Sequence, residues 1–284
     1  MGASGNAPAT ARPFMSSNQP VSRLTDQEYL RKEQYADASN LQARLQLHQR
    51  FSTNPYNWFL WIFDHLDLPD SARILEIGCG SGNLWIKNAG RLPAGWRVIL
   101  SDFSAGMASE AQHNTKSIPH PFQFSILDAQ AIPFPAETFE AVIANHVLPH
   151  VPNLEKAISE IHRVLKPNAC LYAATNGITH LRELYELINQ FEPSIKSSSQ
   201  ILPFNLENGR EHLRKLFPEV EMEVYEDSLR VTEAEPLCAY ILSMMTVDFD
   251  IKQEARLHQF IASKLKRQGV IHISKKPGLF MAKK

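Results

Sequence analysis

The sequence predicts an α/β fold built on a doubly wound, mostly parallel sheet of seven strands, with a helical cap at the N-terminus. Between residues 72 and 176, short apolar runs alternate strictly with helical patterns. Strands covered on both faces show such near-continuous apolar runs, and helices between them place successive strands in parallel. The length of 284 residues, 44% of them apolar and 21% charged, is enough for one large domain with a smaller attached part.

The N-terminal part lacks the strand pattern. Residues 1–22 are rich in Ala, Ser, Asn and Pro, which predicts a disordered arm. Thr25 followed by Glu28 is typical of a helix start, and apolar residues at helical spacing follow. Residues 23–70 are therefore predicted to form the helical cap. The aromatic residues at 58–63 are expected in the core, with contact to a bound cation as the alternative.

Strand and helix patterns follow in order along the rest of the chain. The predicted strands are residues 72–78, 96–102, 122–129, 141–148, 169–176 and 220–227, with a last strand or hairpin at 270–284. The predicted helices are residues 83–92, 104–115, 151–165, 180–191, 207–217, 233–245 and 249–268. Three further units are predicted: residues 71–176 form the core of the sheet, residues 177–217 an insertion after the fifth strand, and residues 218–284 the strands and helices that complete the sheet.

Charge and cysteine content narrow the possible partners. The formal net charge of −1 does not favour a nucleic acid partner. The three cysteines, Cys79, Cys170 and Cys238, lack metal-ligand spacing, so no metal site is expected, and they suit a reducing compartment. No apolar run approaches the roughly 20 residues of a membrane span, and no secretory signal is seen, so a cytoplasmic protein is expected. The basic clusters 264–267 and 275–276 are expected to be solvated surface, with phosphate binding as the alternative.

A glycine-rich turn follows the first strand in ILEIGCGSGNL, residues 74–84. Gly78, Gly80 and Gly82 allow positive φ angles and leave room for a ligand against the backbone, whose N–H groups such a turn exposes. The turn therefore predicts a nucleotide-like or charged small ligand at the carboxyl end of the sheet, with a tight turn without a ligand as the alternative. The dinucleotide fingerprint G-x-G-x-x-G needs glycine where Asn83 stands, which disfavours a dinucleotide-dependent oxidoreductase.

The turn also carries a family resemblance. The stretch EIGCGSG, residues 76–82, resembles the first motif of the class I S-adenosylmethionine-dependent methyltransferases. Asp102 closes the second strand, Asp128 and Ala129 the third, and NHVLPHV the fourth, in the expected order. Residues 160–172 resemble the ubiquinone-biosynthesis-like (type 11) branch, although Pro-Asn-Ala replaces its usual Pro-Gly-Gly turn. The resemblance implies a Rossmann-like methyltransferase fold and S-adenosylmethionine as the cofactor.

The resemblance also implies roles for individual residues. Asp102 would accept hydrogen bonds from the ribose hydroxyls, with a helix N-cap as the alternative. Asp128 would accept from the adenine amino group and the Ala129 N–H would donate to the ring, with a turn as the alternative. Glu76 would lie near the ammonium end of the methionine, or be a buried acid bonded to loop N–H groups. The predicted cofactor-binding set also contains Gly78, Cys79, Gly80, Ser81, Phe103, Met107 and Asn145, with Tyr35 and Arg44 from an N-terminal lid.

The predicted function is methyl transfer to O, N or C of a small organic acceptor. A methyl on a sulfonium is already activated, so a base is needed only where the acceptor must lose a proton. His146 and His150 follow the fourth strand and are the candidate catalytic bases, with a structural role in the turn as the alternative. His180, Tyr185 and Phe204 are candidates for the acceptor pocket. The alternative functions are methylation of a macromolecule (tRNA or protein) and a non-catalytic module that keeps the fold.

Overall fold

The computed structural model describes residues 25–29, 39–193, 202–244 and 250–284. Its helices are α1 (Gln27–Tyr29), α2 (Ser39–Phe51), α3 (Trp58–Asp64), α4 (Asn83–Lys87), α5 (Ala105–Thr115), α6 (Leu154–Val164), α7 (Arg182–Phe191), α8 (Gly209–Arg214), α9 (Ala234–Met244) and α10 (Ile251–Gln268). Its strands are β1 (Arg73–Ile77), β2 (Arg97–Asp102), β3 (Gln123–Ile126), β4 (Phe139–Asn145), β5 (Leu165–Asn176), β6 (Glu219–Val224), β7 (Ser228–Val231), β8 (Ile271–Ser274) and β9 (Pro277–Lys283).

Seven of these strands form one sheet in the order β3-β2-β1-β4-β5-β9-β6. Strand β9 runs antiparallel to both of its neighbours, and β1 to β5 pair in parallel. The predicted seven-stranded, mostly parallel sheet is therefore confirmed. The chain moves outward from β1 to β3 and then returns to the other side of β1 for β4. This change of direction creates a crevice at the carboxyl ends of the strands, where α/β proteins bind ligands.

Alternate residues of each central strand are buried on opposite faces of the sheet. In β1, Leu75 and Ile77 pack in one hydrophobic cluster with residues of α6 and α8. Ile74, directly before Leu75, packs in a second hydrophobic cluster with residues of α3, α4 and α5. Because side chains alternate along a strand, an apolar run with both sets buried needs helices on both faces. The doubly wound arrangement is confirmed.

Two of the strands that differ from their predicted bounds do so for identifiable reasons. The fourth strand ends at Asn145, because His146 takes a left-handed backbone with φ of 59° and residues 148–150 form a single helical turn. The fifth strand begins at Leu165, because Pro167 cannot continue the preceding helix. Asn168 has φ of 62°, a conformation that Asn tolerates better than most residues, so it can stand in for the usual glycine of this turn.

The predicted last strand or hairpin is instead two strands in different sheets. Strand β9 pairs with β5 and β6, whereas β8 pairs with β7 in a separate two-stranded sheet. Strand β7 was not predicted, since four residues are too few to show a pattern. Helices α2, α7, α9 and α10 share one hydrophobic cluster with β7 and β8, which we call the accessory lobe. The lobe thus joins the first long helix to the last quarter of the chain.

Helix α3 packs elsewhere. Ile62 and Phe63 lie in the cluster under the main sheet, so the residues predicted as one cap divide between the sheet and the accessory lobe. The domain boundaries stay a prediction. No helix in the described part of the chain combines the length and apolar composition needed to cross a bilayer.

Candidate functional site

The glycine-rich turn has the backbone that its sequence predicts. Gly78 and Gly80 have φ of 67° and 53°. A Cβ on Gly78 would lie 2.2 Å from Cγ2 of Val147, so the loop after β4 fills the space that a side chain would need. A Cβ on Gly80 would lie 3.2 Å from Cδ2 of Leu41 in α2. The turn is therefore held between the loop after β4 and the accessory lobe.

Asp102 ties this turn to the end of β2. Its Oδ2 accepts from the Gly80 N–H at 3.0 Å, and its Oδ1 accepts from the Ser104 N–H at 2.8 Å. Burial raises the pKa of Asp102, while the N–H groups of Ser104 and Gly80 oppose that shift. The N-cap of α5 is Ser104, whose hydroxyl accepts from the Met107 N–H at 3.3 Å. The carboxylate keeps lone pairs for a ligand hydroxyl, because two acceptor sites remain after two bonds.

Glu76 is 2% exposed at the end of β1. Its Oε2 accepts from Nε1 of Trp85, in α4, at 2.6 Å. Burial raises the pKa of Glu76 to about 7. The Trp85 hydrogen bond opposes this rise, and the charge of Asp102 adds to it. A carboxylic acid poised near neutrality will ionise when a cation binds beside it. Burial also raises the pKa of the adjacent Cys79 thiol, so this cysteine stays protonated.

Asp128 lies after β3, beside the N-terminal segment. Its carboxylate accepts from the Gln130 backbone N–H at 2.9 Å and from Nε2 of Gln130 at 3.0 Å. Nε2 of Gln27, in α1, donates to Oδ2 at 3.1 Å. Burial raises the pKa of Asp128, but these hydrogen bonds outweigh burial and leave it below its ordinary value. The neighbouring Ala129 is buried.

A single cavity of about 740 Å³ collects these residues at the carboxyl ends of the strands. The predicted site residues that line it are Arg44, Glu76, Gly78, Cys79, Gly80, Ser81, Asp102, Phe103, Met107, Asp128, Ala129, Asn145, His146 and His150. Tyr35 lies outside the described residues. Arg44 lines the cavity while its Nε and Nη2 donate to the hydroxyl and the carbonyl of Ser243, at 3.1 and 2.6 Å. The cavity is within the usual size of small-molecule sites.

Of the three candidates for the acceptor pocket, His180, Tyr185 and Phe204, the structure places only His180 at the cavity. Tyr185 packs in the accessory lobe, and Phe204 is fully buried in the cluster that contains Leu75 and Ile77 of β1. The predicted core role of the aromatic residues holds for Phe63, which is buried. Trp58 packs against the cluster that contains Phe63 and also lines the cavity, with its ring centroid 5.5 Å from that of His146.

The ends of β4 and β5 carry polar groups that have no partner among the described residues. Oδ1 of Asn145 and Oδ1 of Asn176 are both buried and unbonded. Burial lowers the pKa of His146 to about 4, and the charges of His150 and Lys275 add to this effect. Nδ1 of His48, in α2, is a third buried atom without a bond in the described part of the chain. Burial, aided by Lys275, lowers the pKa of His48 to about 3.

Lys275 departs from its predicted role as solvated surface. Its side chain is 9% exposed, lines the cavity and forms an ion pair with Asp227, whose side chain is fully buried. The prediction holds for Lys276, which is 42% exposed and pairs with Glu207. Asp227, His48 and Asn176 stand outside every predicted motif, and Lys275 was expected at the surface, because these residues are separated from the glycine-rich turn along the chain. Only the folding of the accessory lobe against the sheet brings them together.

The groups at the cavity wall fit a cationic nucleoside better than a phosphate-rich cofactor. Three carboxylates, those of Glu76, Asp102 and Asp128, lie at the ends of β1, β2 and β3. Carboxylates attract cations and accept from hydroxyl and amino groups, whereas phosphates need N–H groups or cations. Within residues 25–29, 39–193, 202–244 and 250–284, no group of three or more His, Cys, Asp or Glu residues is arranged to hold a metal ion.

Comparison with known proteins gives a family for the core. Residues 75–173 match the family described as methyltransferase domain. The demethylmenaquinone methyltransferase of Symbiobacterium thermophilum is 31% identical over 106 residues, which is 36% of this chain and 42% of that protein. The 2-phytyl-1,4-naphthoquinone methyltransferase of Thermosynechococcus vestitus is 31% identical over 110 residues, 39% of this chain and 48% of that protein. The chain thus spans less than half the length of these curated relatives.

Solved structures share the fold over most of the chain. Phosphoethanolamine N-methyltransferase 2 of Haemonchus contortus, in complex with S-adenosyl-L-methionine, has a TM-score of 0.57 at 21% identity and covers 94% of this chain and 61% of its own. The cyclase SpnF has a TM-score of 0.52 at 19% identity and covers 82% of this chain and 86% of its own. At such identities the likeness shows the fold alone, and a cyclase on the same fold shows why the site must carry the functional argument.

Proposed function

We propose, from the premise that residues 75–173 belong to the methyltransferase domain family, that this chain binds S-adenosylmethionine and transfers its methyl group to a small organic acceptor. One observation supports this most. The three carboxylates at the ends of β1, β2 and β3 share one cavity with the glycine-rich turn, and a second polar region adjoins them at the ends of β4 and β5. The cavity thus offers one region to the donor and another to the acceptor.

Each acid is proposed to hold a different part of the donor. Asp102 accepts from the ribose hydroxyls and Asp128 from the adenine amino group, while the Ala129 N–H donates to the ring. Glu76 faces the cationic methionine end, where its ionised form is favoured. When bound, the donor supplies a methyl group on a sulfonium, whose S–CH₃ bond breaks with its electron pair left on sulfur as the acceptor forms the new bond. The protein contributes mainly position, since well-oriented reactants reach effective molarities of about 10⁵ M and above.

His146 is proposed as the base for acceptors that must lose a proton. Its ring lies at the rim of β4 and is neutral at physiological pH, because burial lowers its pKa to about 4. A neutral imidazole can accept a proton, but a pKa of about 4 makes His146 a weak base that suits acidic acceptors. Its left-handed backbone marks a strained position of the kind found at functional sites. His150, one turn further along, lines the same cavity and is the second candidate.

The acceptor class is proposed from the relatives and from the cavity together. Two relatives methylate, by their names, demethylmenaquinone and 2-phytyl-1,4-naphthoquinone. A flat ring suits this cavity, because Trp58 and Tyr225 both line it and meet edge to face with ring centroids 5.2 Å apart. A naphthoquinone-like ring is therefore the proposed acceptor, and a macromolecule is the alternative. The cytoplasm is the proposed location, supported by the free thiols of Cys79, Cys170 and Cys238.

The test is binding first and turnover second. Calorimetry with S-adenosylhomocysteine should show a defined affinity, whereas NAD should show none, because a dinucleotide brings phosphates toward the three carboxylates. Transfer of a labelled methyl group to naphthoquinols, to other small phenols and to bulk tRNA would then identify the acceptor class. A folded protein without affinity for S-adenosylhomocysteine would rule out the proposal. Affinity without transfer to any member of a broad panel would favour the non-catalytic module.

A further inference from the structure

Lys275 presents a buried ammonium group with unused hydrogen-bond donors. Its side chain is 9% exposed and lines the cavity. An ammonium group can donate three hydrogen bonds. Among the residues that the structure describes, one acceptor meets it, the carboxylate of Asp227. Two N–H groups are therefore available to a partner that enters the cavity.

Asp227 fixes the position of this ammonium group. Its Oδ1 accepts from the backbone N–H groups of Thr53 and Asn54, each at 3.0 Å. Its Oδ2 accepts from the Ser52 hydroxyl at 2.6 Å as well as from Lys275. These bonds satisfy the carboxylate from the protein side, since backbone and hydroxyl donors are present whether or not a ligand is bound. Asp227 therefore fixes the ammonium group of Lys275 at the cavity wall.

His180 supplies another donor at the same wall. Its Nδ1 accepts from the Lys276 backbone N–H at 3.0 Å, so the proton of the neutral ring is on Nε2. Burial lowers the pKa of His180 well below its ordinary value, and the charges of His48, His146 and Lys275 add to this effect, so the ring stays neutral. Nε2 therefore offers an N–H, and no described residue accepts it. The ring itself lines the cavity.

In the sheet order, strands β4 and β5 stand between this wall and the proposed donor site at the end of β1. Asn176, at the end of β5, pairs with Pro277, two residues after Lys275. The His146 N–H donates to the Ala174 carbonyl at 3.0 Å, which joins the end of β4 to β5. Strand β4 is the neighbour of β1, whose end carries Glu76. The acidic groups thus lie at the ends of β1 to β3, and Lys275 lies on the other side of β4 and β5, just before β9, with both groups of residues lining one cavity.

We propose that Lys275 and His180, held by Asp227 and the Lys276 backbone, bind an anionic oxygen of the methyl acceptor. This inference rests on the proposed function and narrows its substrate class to flat acceptors that carry an ionised hydroxyl or a carboxylate. An anionic oxygen would receive two N–H groups from the ammonium and one from the imidazole. Hydrogen bonds between charged groups are the stronger kind, so the wall would select such acceptors over neutral ones. An ionised hydroxyl on the ring would also make the acceptor more nucleophilic.

The test compares matched probes in calorimetry, with S-adenosylhomocysteine present. The first pair is 2-hydroxy-1,4-naphthoquinone, an acidic enol, and its neutral 2-methoxy ether. The second pair is 1-naphthoate and the neutral 1-naphthamide. We expect the anion of at least one pair to bind about tenfold or more tighter than its neutral partner. A preference in the first pair indicates that the site binds an ionised hydroxyl, and a preference in the second pair indicates that it binds a carboxylate.

Three variants locate the preference. Lys275→Met removes the ammonium and should abolish the preference, and Lys275→Arg should restore part of it. His180→Asn keeps an acceptor for the Lys276 N–H but removes the Nε2 donor, so it should reduce the preference even if Lys275→Met proves unstable. Lys215→Met, which removes an exposed lysine paired with Glu155 outside the cavity, is the control and should bind both probes as the wild type does.

Two outcomes would overturn the inference. One is equal binding of anion and neutral partner by the wild type, and the other is a full preference retained by both Lys275→Met and His180→Asn. Affinity for S-adenosylhomocysteine is measured on the same samples. If that affinity is present and the preference is absent, the inference alone fails. If the preference is present and that affinity is absent, the proposed function fails and an anion site remains.

Discussion

The indole N–H of Trp85 donates to the carboxylate of Glu76 at 2.6 Å, across the first strand-to-helix turn of the sheet. The bond joins Glu76, the acid of β1, to α4, the helix that follows the glycine-rich turn. The indole N–H is the hydrogen-bond donor to Glu76, whose buried charge would be costly without a partner. The protonation of Glu76 therefore depends on its burial, on the Trp85 hydrogen bond, on the charge of Asp102 and on the ligand.

We expect donor affinity to rise with pH between about 5 and 7 and to level off above that range. Burial raises the pKa of Glu76 from 4.5 to about 7, so the free protein holds a proton that a bound cation expels. Calorimetry in buffers with different ionisation enthalpies measures the proton released. The variant Glu76→Gln should show no such release. A wild-type affinity that stays flat across this range would contradict the assignment.

The same shift has a consequence for the protein without ligand. Because the folded-state pKa of Glu76 exceeds its unfolded value of 4.5, the folded state binds more protons than the unfolded state between these values. Its contribution to stability is therefore present at low pH and is lost as pH rises toward 7. Urea unfolding at a series of pH values should show this loss in the wild type and its absence in Glu76→Gln.

Trp85→Phe should weaken donor binding at neutral pH. Without the indole N–H, the pKa of Glu76 rises further, so more of the protein is protonated when the cation arrives. We expect about a tenfold loss near pH 7, which shrinks at higher pH where Glu76 ionises anyway. Trp96→Phe is the matched control, since Trp96 is also buried but donates to the Pro69 carbonyl. An equal loss in both variants would point to packing alone.

Gly78→Ala should destabilise the fold and abolish donor binding together. The added Cβ would lie 2.2 Å from Val147, at a φ of 67° that alanine adopts poorly. Overpacking of this kind costs about 1–3 kcal/mol in the free energy of unfolding. Urea denaturation measures this, and Gly90→Ala is the control because a Cβ there meets nothing within 4 Å. A Gly78→Ala protein as stable as the wild type would mean that Val147 moves aside freely.

Asp102→Ala should weaken donor binding by about 1.5–3 kcal/mol, the size of a hydrogen bond to a charged group. Part of the loss will come from the turn, because the Gly80 N–H loses its acceptor. Calorimetry with S-adenosylhomocysteine measures the change. Asp64→Ala, which removes a partly exposed acid paired with Arg91, should bind as the wild type does. Unchanged affinity in Asp102→Ala would remove Asp102 from the site.

The donor half of the site could be predicted from sequence because its signals are local. Glycines, Asp102 and Asp128 each stand at the end of an apolar run, and the ends of parallel strands meet at one edge of a sheet. Lys275 could not be predicted in the same way. Its burial depends on Asp227, on Thr53 and Asn54, and on strands too short to show a period. Trp85 lies between these cases, since an indole near a buried acid is a usable but weak signal.

The accessory lobe also sets the order in which the molecule can assemble. On the ribosome, α2 emerges before any strand of the sheet, yet its packing partners β7 and α9 belong to the last quarter of the chain. Strands β1 to β5 pair with partners nearer in sequence than α2 is to α9, and contacts of short sequence separation form earlier than distant ones. We therefore expect the newly made chain to carry α2 without its native packing until translation is nearly complete. The wall containing Lys275 closes last, so premature termination would yield a sheet that still has its donor-side acids but no place for an acceptor.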